Sequence, residues 1–436
     1  MKPYFVGGCV RDAILEIPLI DFDIEVFGSS LESIEKLLTR RFTVENTGKS
    51  FCVLKICEFP IDISIPRVEV KTGTRHTNFK VSSAENCDIR TAASRRDFTI
   101  NSIYFDIANE KIIDEFGGIG DLKSGILRHS SEKFAEDQLR VLRGMQFAGR
   151  FKLKAARETI KLCRSLSIYD ISRERIFSEW KKLMLRSTMP SLGLQFLRDC
   201  EWVKFFPEIE SLVTCMQDRK THPEGSVFDH TCLSLDVFAE TKVNSQREDL
   251  IIGFATLCHD FGKPYVTTKD ERGIHHYGHD KIGIKPAKNF LNSIGAPNSL
   301  IEAVLPLVRW HMSPRFLYER DRSDSGILHL ANDVERIDRL LRLCHIDFAG
   351  RMGWKDRYDE EIEKHSRNTA QRLGVFSNKP IPLIQGRHLL ELGLSPSKRF
   401  SEILDTCFAA QLNCEFSDLP SGISHLQKII QNNDQS

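Results

Sequence analysis

The sequence predicts an α+β protein, with a mixed β-sheet head at the N-terminus followed by an all-α remainder. Residues 1–130 alternate short strand-like runs with helical ones. Residues 151–215 show helical spacing throughout. Beyond residue 228 the apolar stretches are helix-length, and several end in His or Asp. A chain of 436 residues has room for about two to four domains. At 41% hydrophobic and 28% charged it can bury several cores. No apolar run approaches the roughly eighteen residues of a membrane span.

The head is organised around its first thirty residues. The apolar run Tyr4 to Val6 enters Gly7-Gly8, then Arg11 and Asp12. Asp21-Phe22-Asp23 follows, leading into Ile24, Val26 and Phe27. Residues two apart on a strand share a face, so Asp21 and Asp23 aim carboxylates at one spot, about 7 Å apart. Left alone they repel. Mg²⁺, a hard cation that favours carboxylate oxygens, resolves the conflict and supplies chemistry. Gly7, Gly8 and Arg11 form a candidate phosphate cradle on the same side.

Further along, Ser30 to Arg41 reads as a helix capped by Ser30. The runs FTVENTG, SFCVLKI and PIDISIP read as strands. Alternation in the last puts Asp62 and Ser64 opposite the isoleucines, so Asp62 is a candidate third carboxylate beside the Asp pair. Residues 71–80 are polar, contain Gly and read as a mobile loop. Arg95 and Arg96 bring two guanidinium forks suited to phosphate oxygens. Asp97 and Asn101, four apart, are expected on one helix face, within reach of ribose hydroxyls. A strand then ends in a Gly-rich turn framed by Asp114 and Asp121.

Residues 134–150 read as a helix in which Asp137 and Arg140, spaced i, i+3, are expected to meet. Cytosine and adenine both present an exocyclic amine beside a ring-nitrogen acceptor. An Asp accepts from the amine while an Arg donates to the ring nitrogen. Uracil and guanine present the reverse order. One fixed Asp–Arg pair therefore admits CTP and ATP and refuses UTP and GTP. Residues 139–200 hold 14 Lys/Arg against 5 Asp/Glu, a net +9, which makes this segment a candidate polyanion surface. Within it, Ile176, Trp180, Leu183 and Met184 mark a structural helix with Ser172 as its cap.

A second constellation begins near residue 228. It comprises His230, the adjacent His259-Asp260 at the end of an apolar helix, His275, His276, His279, His311 and Asp347. Imidazole and carboxylate suit Mg²⁺ or a divalent transition ion such as Ni²⁺, Mn²⁺ or Co²⁺. Side by side at a helix end, His259 and Asp260 can hold one metal. The other histidines, His276, His279 and His311 among them, are expected to line the pocket and contact phosphate. Residues 355–436 show no chemistry. The 12 Cys include no C-x-x-C pair; Cys52, Cys163, Cys258 and Cys344 sit in apolar or mixed segments, as buried thiols in a reducing compartment do. The N-terminus opens directly in a strand-like pattern, so a cytoplasmic location is expected.

GGCVRD…DFD, RRDFTIN, EDQLR and RERIFSEWKK, in that order, resemble the class II tRNA nucleotidyltransferases, the CCA-adding enzymes, over roughly residues 1–215. Residues 220–350 resemble the HD phosphohydrolase domain of many bacterial CCA-adding enzymes, with His230, His259, Asp260 and Asp347 at the four ligand positions. The resemblance implies a polymerase-β-like nucleotidyltransferase head over residues 1–133 and a helical neck over 134–215. An HD-type body over 216–355 and a helical tail over 356–436 would complete the chain. It gives Asp21, Asp23 and Asp62 the catalytic metal role, and Gly8, Arg11 and Arg95 phosphate contacts. Arg95-Arg96-Asp97 matches the ribose-selecting motif. Glu136, Asp137 and Arg140 match the amino-acid template for the base, and Arg143 an adjacent nucleotide contact. Residues 71–80 match the loop used in switching from CTP to ATP. Glu16 stands where that family commonly has Gly.

The expected function is template-independent CCA addition to tRNA, with a second phosphohydrolase activity on 2′,3′-cyclic or 2′-phosphates. A CC-adding, A-adding or poly(A) specialist is the alternative. A catalytically silent RNA-binding scaffold is disfavoured by the intact Asp21, Asp23, Arg95 and Asp137. The expected partners are tRNA, CTP and ATP, with neither DNA nor membrane, and the expected state is a monomer or weak homodimer.

Overall fold

The computed structural model describes residues 1–46, 53–71, 79–83, 87–320, 323–353 and 360–433. The chain forms two compact units, Met1–Glu210 and Ser211–Ser436.

The first unit opens with strands β1 (Lys2–Val6), β2 (Phe22–Phe27), β3 (Val44–Asn46), β4 (Val53–Ile56) and β5 (Ile61–Ser64). β6 (Arg67–Lys71), β7 (Phe79–Ser83), β8 (Tyr104–Asp106) and β9 (Lys111–Ile113) follow. Seven of these make one sheet in the order β3-β4-β5-β2-β1-β8-β9. β2 and β5 run parallel and every other pair in it is antiparallel, so the sheet is mixed. β6 and β7 pair separately as an antiparallel ribbon. The loop expected over 71–80 is therefore shorter, because Lys71 ends β6 and Phe79 and Lys80 open β7. Residues 72–78 of that expectation lie outside the described residues.

Period-2 patterning explains both sheet faces. Tyr4, Val6, Phe27 and Tyr104 pack with Ala92 and Ala93. Val26, Leu54, Ile56, Ile63 and Ile65 pack with Ile34 of the helix Leu31–Leu38. Ser30 caps that helix as expected, its hydroxyl accepting from the Ser33 N–H at 3.3 Å. Glu16, in the turn before β2, takes φ +55°, a left-handed conformation that glycine adopts more readily than glutamate.

The helix expected over 134–150 begins later. A 3₁₀ turn covers Glu132–Glu136, Asp137 is extended (φ −132°, ψ 105°), and the α-helix is Leu139–Phe151. That helix packs against Arg173–Arg186 and Pro190–Asp199. Glycines allow the close approach: a side chain at Gly144 would strike the Phe196 ring, and one at Gly193 the Met145 carbonyl. Ser172 takes the N-cap position of Arg173–Arg186, but its side chain makes no capping bond.

The second unit is helical apart from a small ribbon, Thr268–Asp270 with Gly273–His275. Its core helices are Val227–Glu240, Gln246–Cys258, Asn298–Trp310 and Ile337–Ala349. The C-terminal helices gather around Ile384, Leu389, Ile403, Cys407, Phe416 and Leu426. Among the expected buried thiols, Cys163 and Cys258 are buried and Cys344 is half-buried; Cys52 lies outside the described residues. Among the described residues no helix is long and apolar enough to cross a membrane.

Candidate functional site

In the first unit, β2 carries Asp23, with Asp21 just before it. The parallel pairing with β5 puts Asp62 directly beside Asp23 in register, about 4.8 Å away across the backbone. Three carboxylates thus converge as the alternation predicted. Loss of water pushes the Asp23 carboxyl up. Arg96 pulls it down, Asp21, Asp62 and Glu25 push it up, and the net value is raised. A cation bound there relieves that strain, so the residues fit Mg²⁺.

Gly7 caps the helix Gly8–Ile14 with φ +70° and ψ −126°, which a side chain disfavours. A Cβ there would also lie 2.8 Å from Arg96 Nη1 and 3.7 Å from Asp23 Oδ2. The glycine pair therefore lets a guanidinium and the acid cluster approach the main chain. Arg96 stacks over Tyr104, 5.4 Å from its centroid, and faces Glu25 at 3.8 Å. Tyr104 donates to Glu25 at 2.6 Å. Glu25 did not feature in the sequence reading, although the same alternation that pairs Asp21 with Asp23 extends to it.

A cleft of about 540 Å³ is lined by Gly7, Gly8, Arg11, Asp21, Asp23, Arg96, Asp97, Asn101, Asp137, Arg140 and Arg143. Arg95 and Glu136 line a smaller cavity of about 240 Å³ that shares Arg96 and Arg140 with it. The expected residues are thus brought together, but three of their relationships differ. Asp97 and Asn101 are buried and bond to each other, Asn101 Nδ2 donating to Asp97 Oδ1 at 2.9 Å. Arg143 donates to Asp97 at 2.6 Å, and Arg11 to Asn101 at 2.5 Å. They form a continuous chain in the wall of the cleft, not a pair on one helix face.

The second difference concerns Asp137 and Arg140, which do not pair with each other. Asp137 lies outside the α-helix, so i, i+3 stacking fails. Its carboxylate accepts from the Leu139 N–H at 3.1 Å and from Arg175 at 2.8 Å. Arg140 instead donates to the carbonyls of Lys133 (2.7 Å) and Arg95 (2.5 Å). Each group is held separately beside the same cleft. The third concerns the basic segment. Arg140, Arg143, Arg150, Arg175, Lys182 and Arg186 face the cleft, so part of the +9 lies there.

In the second unit, His230 comes from Val227–Glu240, and His259 and Asp260 follow Gln246–Cys258. His311 follows Asn298–Trp310, and Asp347 lies on Ile337–Ala349. His230, His259, Asp260, His311 and Asp347 are all buried. His230 Nε2 lies 2.9 Å from Asp347 Oδ1, and His259 Nε2 lies 3.2 Å from Asp260 Oδ2. The opposite ring nitrogens are anchored. His259 Nδ1 meets the Thr256 carbonyl at 2.7 Å, and His230 Nδ1 meets Glu224 at 3.0 Å. Anchoring Nδ1–H turns the Nε2 lone pair inward, the arrangement a metal needs. His259 Nε2 is buried and has no hydrogen-bond partner. Burial would lower His259, but Asp260 and Asp347 outweigh it and raise its pKa. The cluster therefore favours positive charge, and His230, His259, Asp260 and Asp347 fit a divalent ion.

His276, His279 and His311 line the adjoining cavity of about 290 Å³, as expected. His275 also lines it and stacks on Tyr277 at 5.2 Å. Sequence reading missed Glu224, which also accepts from His222 at 2.9 Å. It missed Lys263 too, whose ammonium lies 2.6 Å from Asp260 Oδ2 and 2.7 Å from Gln217 Oε1. Glu224 precedes its helix in a turn, where periodicity says nothing. Lys263, three residues after Asp260, was within reach of helical spacing.

The fold and these sites define a class: a nucleotidyltransferase-type head in one chain with an HD-type helical body. Residues 3–128 match the poly A polymerase head domain, and residues 227–343 match the HD domain. The multifunctional CCA protein of Pasteurella multocida is 33% identical over 81% of this chain and 85% of that relative. The protein of the same name from Nitrosococcus oceani is 32% identical over 82% and 87%. This chain belongs to the multifunctional CCA protein family. The crystal structure of the Bacillus stearothermophilus CCA-adding enzyme in complex with CTP shares the fold, with a TM-score of 0.63 at 17% identity over 99% of this chain and 94% of that one. The Thermotoga maritima CCA-adding enzyme complexed with tRNA also matches, with a TM-score of 0.58 at 18% identity over 98% and 91%.

Proposed function

We propose that this chain adds CCA to tRNA 3′ ends without a nucleic acid template, in the cytoplasm, drawing on CTP and ATP. The observation that carries the reading is a single cleft lined by Asp21 and Asp23, by Arg11 and Arg96, and by the separately held Asp137 and Arg140. Asp21 and Asp23, supported by Asp62, hold Mg²⁺. When bound, the ions lower the charge barrier to nucleotidyl transfer. The new bond joins the tRNA 3′ oxygen to the α-phosphorus, and the bond to pyrophosphate breaks. Gly7, Gly8, Arg11, Arg95 and Arg96 place and neutralise the triphosphate. Asp97 and Asn101 act at the ribose end through the Arg11 and Arg143 that they hold. Asp137 accepts from the exocyclic amine, and Arg140 donates to the ring nitrogen. Two main-chain carbonyls fix Arg140, so its donors cannot turn to suit uracil or guanine. Glu136 and Arg143 complete this edge of the site. Within the functional division, residues 1–133 supply the chemistry and 134–215 the base reading and tRNA contacts. Asp23→Ala should abolish extension of tRNA; extension at the normal rate refutes the metal assignment.

A second activity is carried by residues 216–355, where His230, His259, Asp260 and Asp347 hold Ni²⁺, Mn²⁺ or Co²⁺. The inward Nε2 atoms, each anchored through Nδ1, support this reading. The substrates are 2′,3′-cyclic or 2′-phosphates, met at damaged tRNA ends. His259→Ala should lose cyclic-phosphate hydrolysis with added Ni²⁺ or Mn²⁺; full retention refutes the assignment.

A further inference from the structure

We infer that the cavity of the helical body has a nucleobase platform at its rim: the base of a nucleoside 2′,3′-cyclic or 2′-phosphate stacks on Tyr277 while its phosphate enters the cavity. The inference rests on the hydrolase reading of that cavity and adds how its substrate is chosen. Tyr277 is 77% exposed, yet it lines the cavity beside His275, His276 and His279. Its ring lies nearly parallel to that of His275, with centroids 5.2 Å apart and planes 11° from each other. That is the offset stack aromatic rings favour. It covers one face of Tyr277, and the high exposure leaves the other face to solvent.

The platform is braced from below. His275 ends the ribbon formed by Thr268–Asp270 and Gly273–His275, where it pairs with Thr268. Its Nε2 donates to Asp270 Oδ1 at 2.9 Å, which fixes the ring. Gly273, at φ +126°, brings the ribbon against Asp218, whose carboxylate a side chain there would strike. Asp218 in turn accepts from the Ile274 N–H at 3.4 Å. A ring already stacked on a braced neighbour loses little freedom when a ligand lands on it, so the contact costs little to make.

Place and size point to a nucleoside. Tyr277 stands two residues before His279, so their Cα atoms are at most about 7 Å apart. Gly278, at φ +77°, turns the chain between them. His279 faces His311 on the cavity wall, their Nε2 atoms 3.1 Å apart. The cavity of about 290 Å³ falls just under the roughly 300–1,000 Å³ of sites that enclose a whole small ligand. A ribose phosphate fills it, and the base is left at the rim, where Tyr277 stands. Every base has a π-face, so the platform takes any of the four with little choice between them. Stacking of a base on an aromatic ring is worth about 5- to 150-fold in affinity, and a sugar phosphate without a base forgoes it.

The test gives the full chain, with added Ni²⁺ or Mn²⁺, two substrates: adenosine 2′,3′-cyclic phosphate and methyl riboside 2,3-cyclic phosphate, which lacks a base. Hydrolysis joins a water oxygen to phosphorus and breaks one ring P–O bond, the freed ribose oxygen taking a proton. The ratio of kcat/KM, base-bearing over base-free, should match the stacking factor in the parent chain. In Tyr277→Ala it should fall toward one, chiefly through a raised KM. Tyr277→Phe and Tyr277→Trp should keep it. Irradiated with the chain, 8-azidoadenosine 2′-phosphate should label the peptide that carries Tyr277, mapped by mass spectrometry. A ratio near one in the parent chain, or one that survives Tyr277→Ala because both substrates suffer equally, overturns the platform and leaves the hydrolase reading standing. Absence of label from that peptide also overturns the platform, whatever the variants do. A parent chain that hydrolyses neither substrate overturns both readings.

Discussion

Asp137→Asn separates base reading from folding. The carboxylate accepts two hydrogen bonds, from the Leu139 N–H and from Arg175. An amide oxygen can keep the first. The second is an ion pair whose side chains are 45% and 33% exposed, worth under about 1 kcal/mol. The fold should therefore survive. The chemistry of the edge changes, because a carboxylate only accepts whereas an amide also donates. The introduced amide can donate to the O4 of uracil, which the Asp137 carboxylate repels. Arg140 is still fixed by the Lys133 and Arg95 carbonyls, and in the proposed template role it would continue to face the N3–H of uracil. Only one of the two mismatches is removed. One unpaired polar group desolvated against the base costs about 1–3 kcal/mol, so the preference for CTP over UTP should fall about 5- to 150-fold. The assay is primer extension on tRNA lacking CCA, with kcat/KM measured for each nucleotide alone. An unchanged CTP/UTP ratio in a folded, active variant refutes the template role of Asp137.

Other perturbations follow from the same contacts. Asp97→Asn breaks a pair in which Asp97 is buried and Arg143 is 35% exposed, at a cost of about 2–3 kcal/mol. Burial pushes the Asp97 carboxyl up, but Arg143, Asn101 and the Phe98 N–H outweigh it and hold it below the ordinary range. The stabilisation is therefore fully present above the unfolded value of about 3.9. It is lost as pH falls through the folded value. Melting of wild type and variant should differ constantly from about pH 5 to 8, and the gap should begin to narrow only below about pH 4, closing as the folded-state carboxylate protonates. Gly7→Ala places a side chain at φ +70° against Arg96; it should cost about 1–2 kcal/mol of stability and depress extension, measured by melting and kcat/KM together. Binding of tRNA should weaken steeply with salt because phosphate contacts dominate; titrations at several salt concentrations that give one affinity would contradict this.

Much of both sites was legible because secondary-structure period converts spacing into direction. A two-residue period aimed Asp21 and Asp23 together and put Asp62 opposite the isoleucines of its own strand, which the structure pairs with β2. The same rule reached Glu25, whose role emerged only with Tyr104 and Arg96 beside it. The helical rule failed at Asp137, because a 3₁₀ turn and an extended residue precede Leu139–Phe151. A continuous apolar pattern conceals such a break. His230, His259, Asp260 and Asp347 could be named from residue type, but their mutual distances depend on four helices meeting. Glu224 and the opposed His279 and His311 rings were invisible for the same reason, being contacts between segments far apart in the chain.

The most direct test offers the protein three tRNAs, ending before CCA, after C and after CC, each with single nucleotides, and reads product lengths. CTP alone should extend the first by two residues and the second by one. ATP alone should extend the third by one and stop, with no extension from UTP or GTP. Addition limited to C, limited to A, or continuing into an A tail would contradict CCA addition and point to a narrower specialist on the same scaffold.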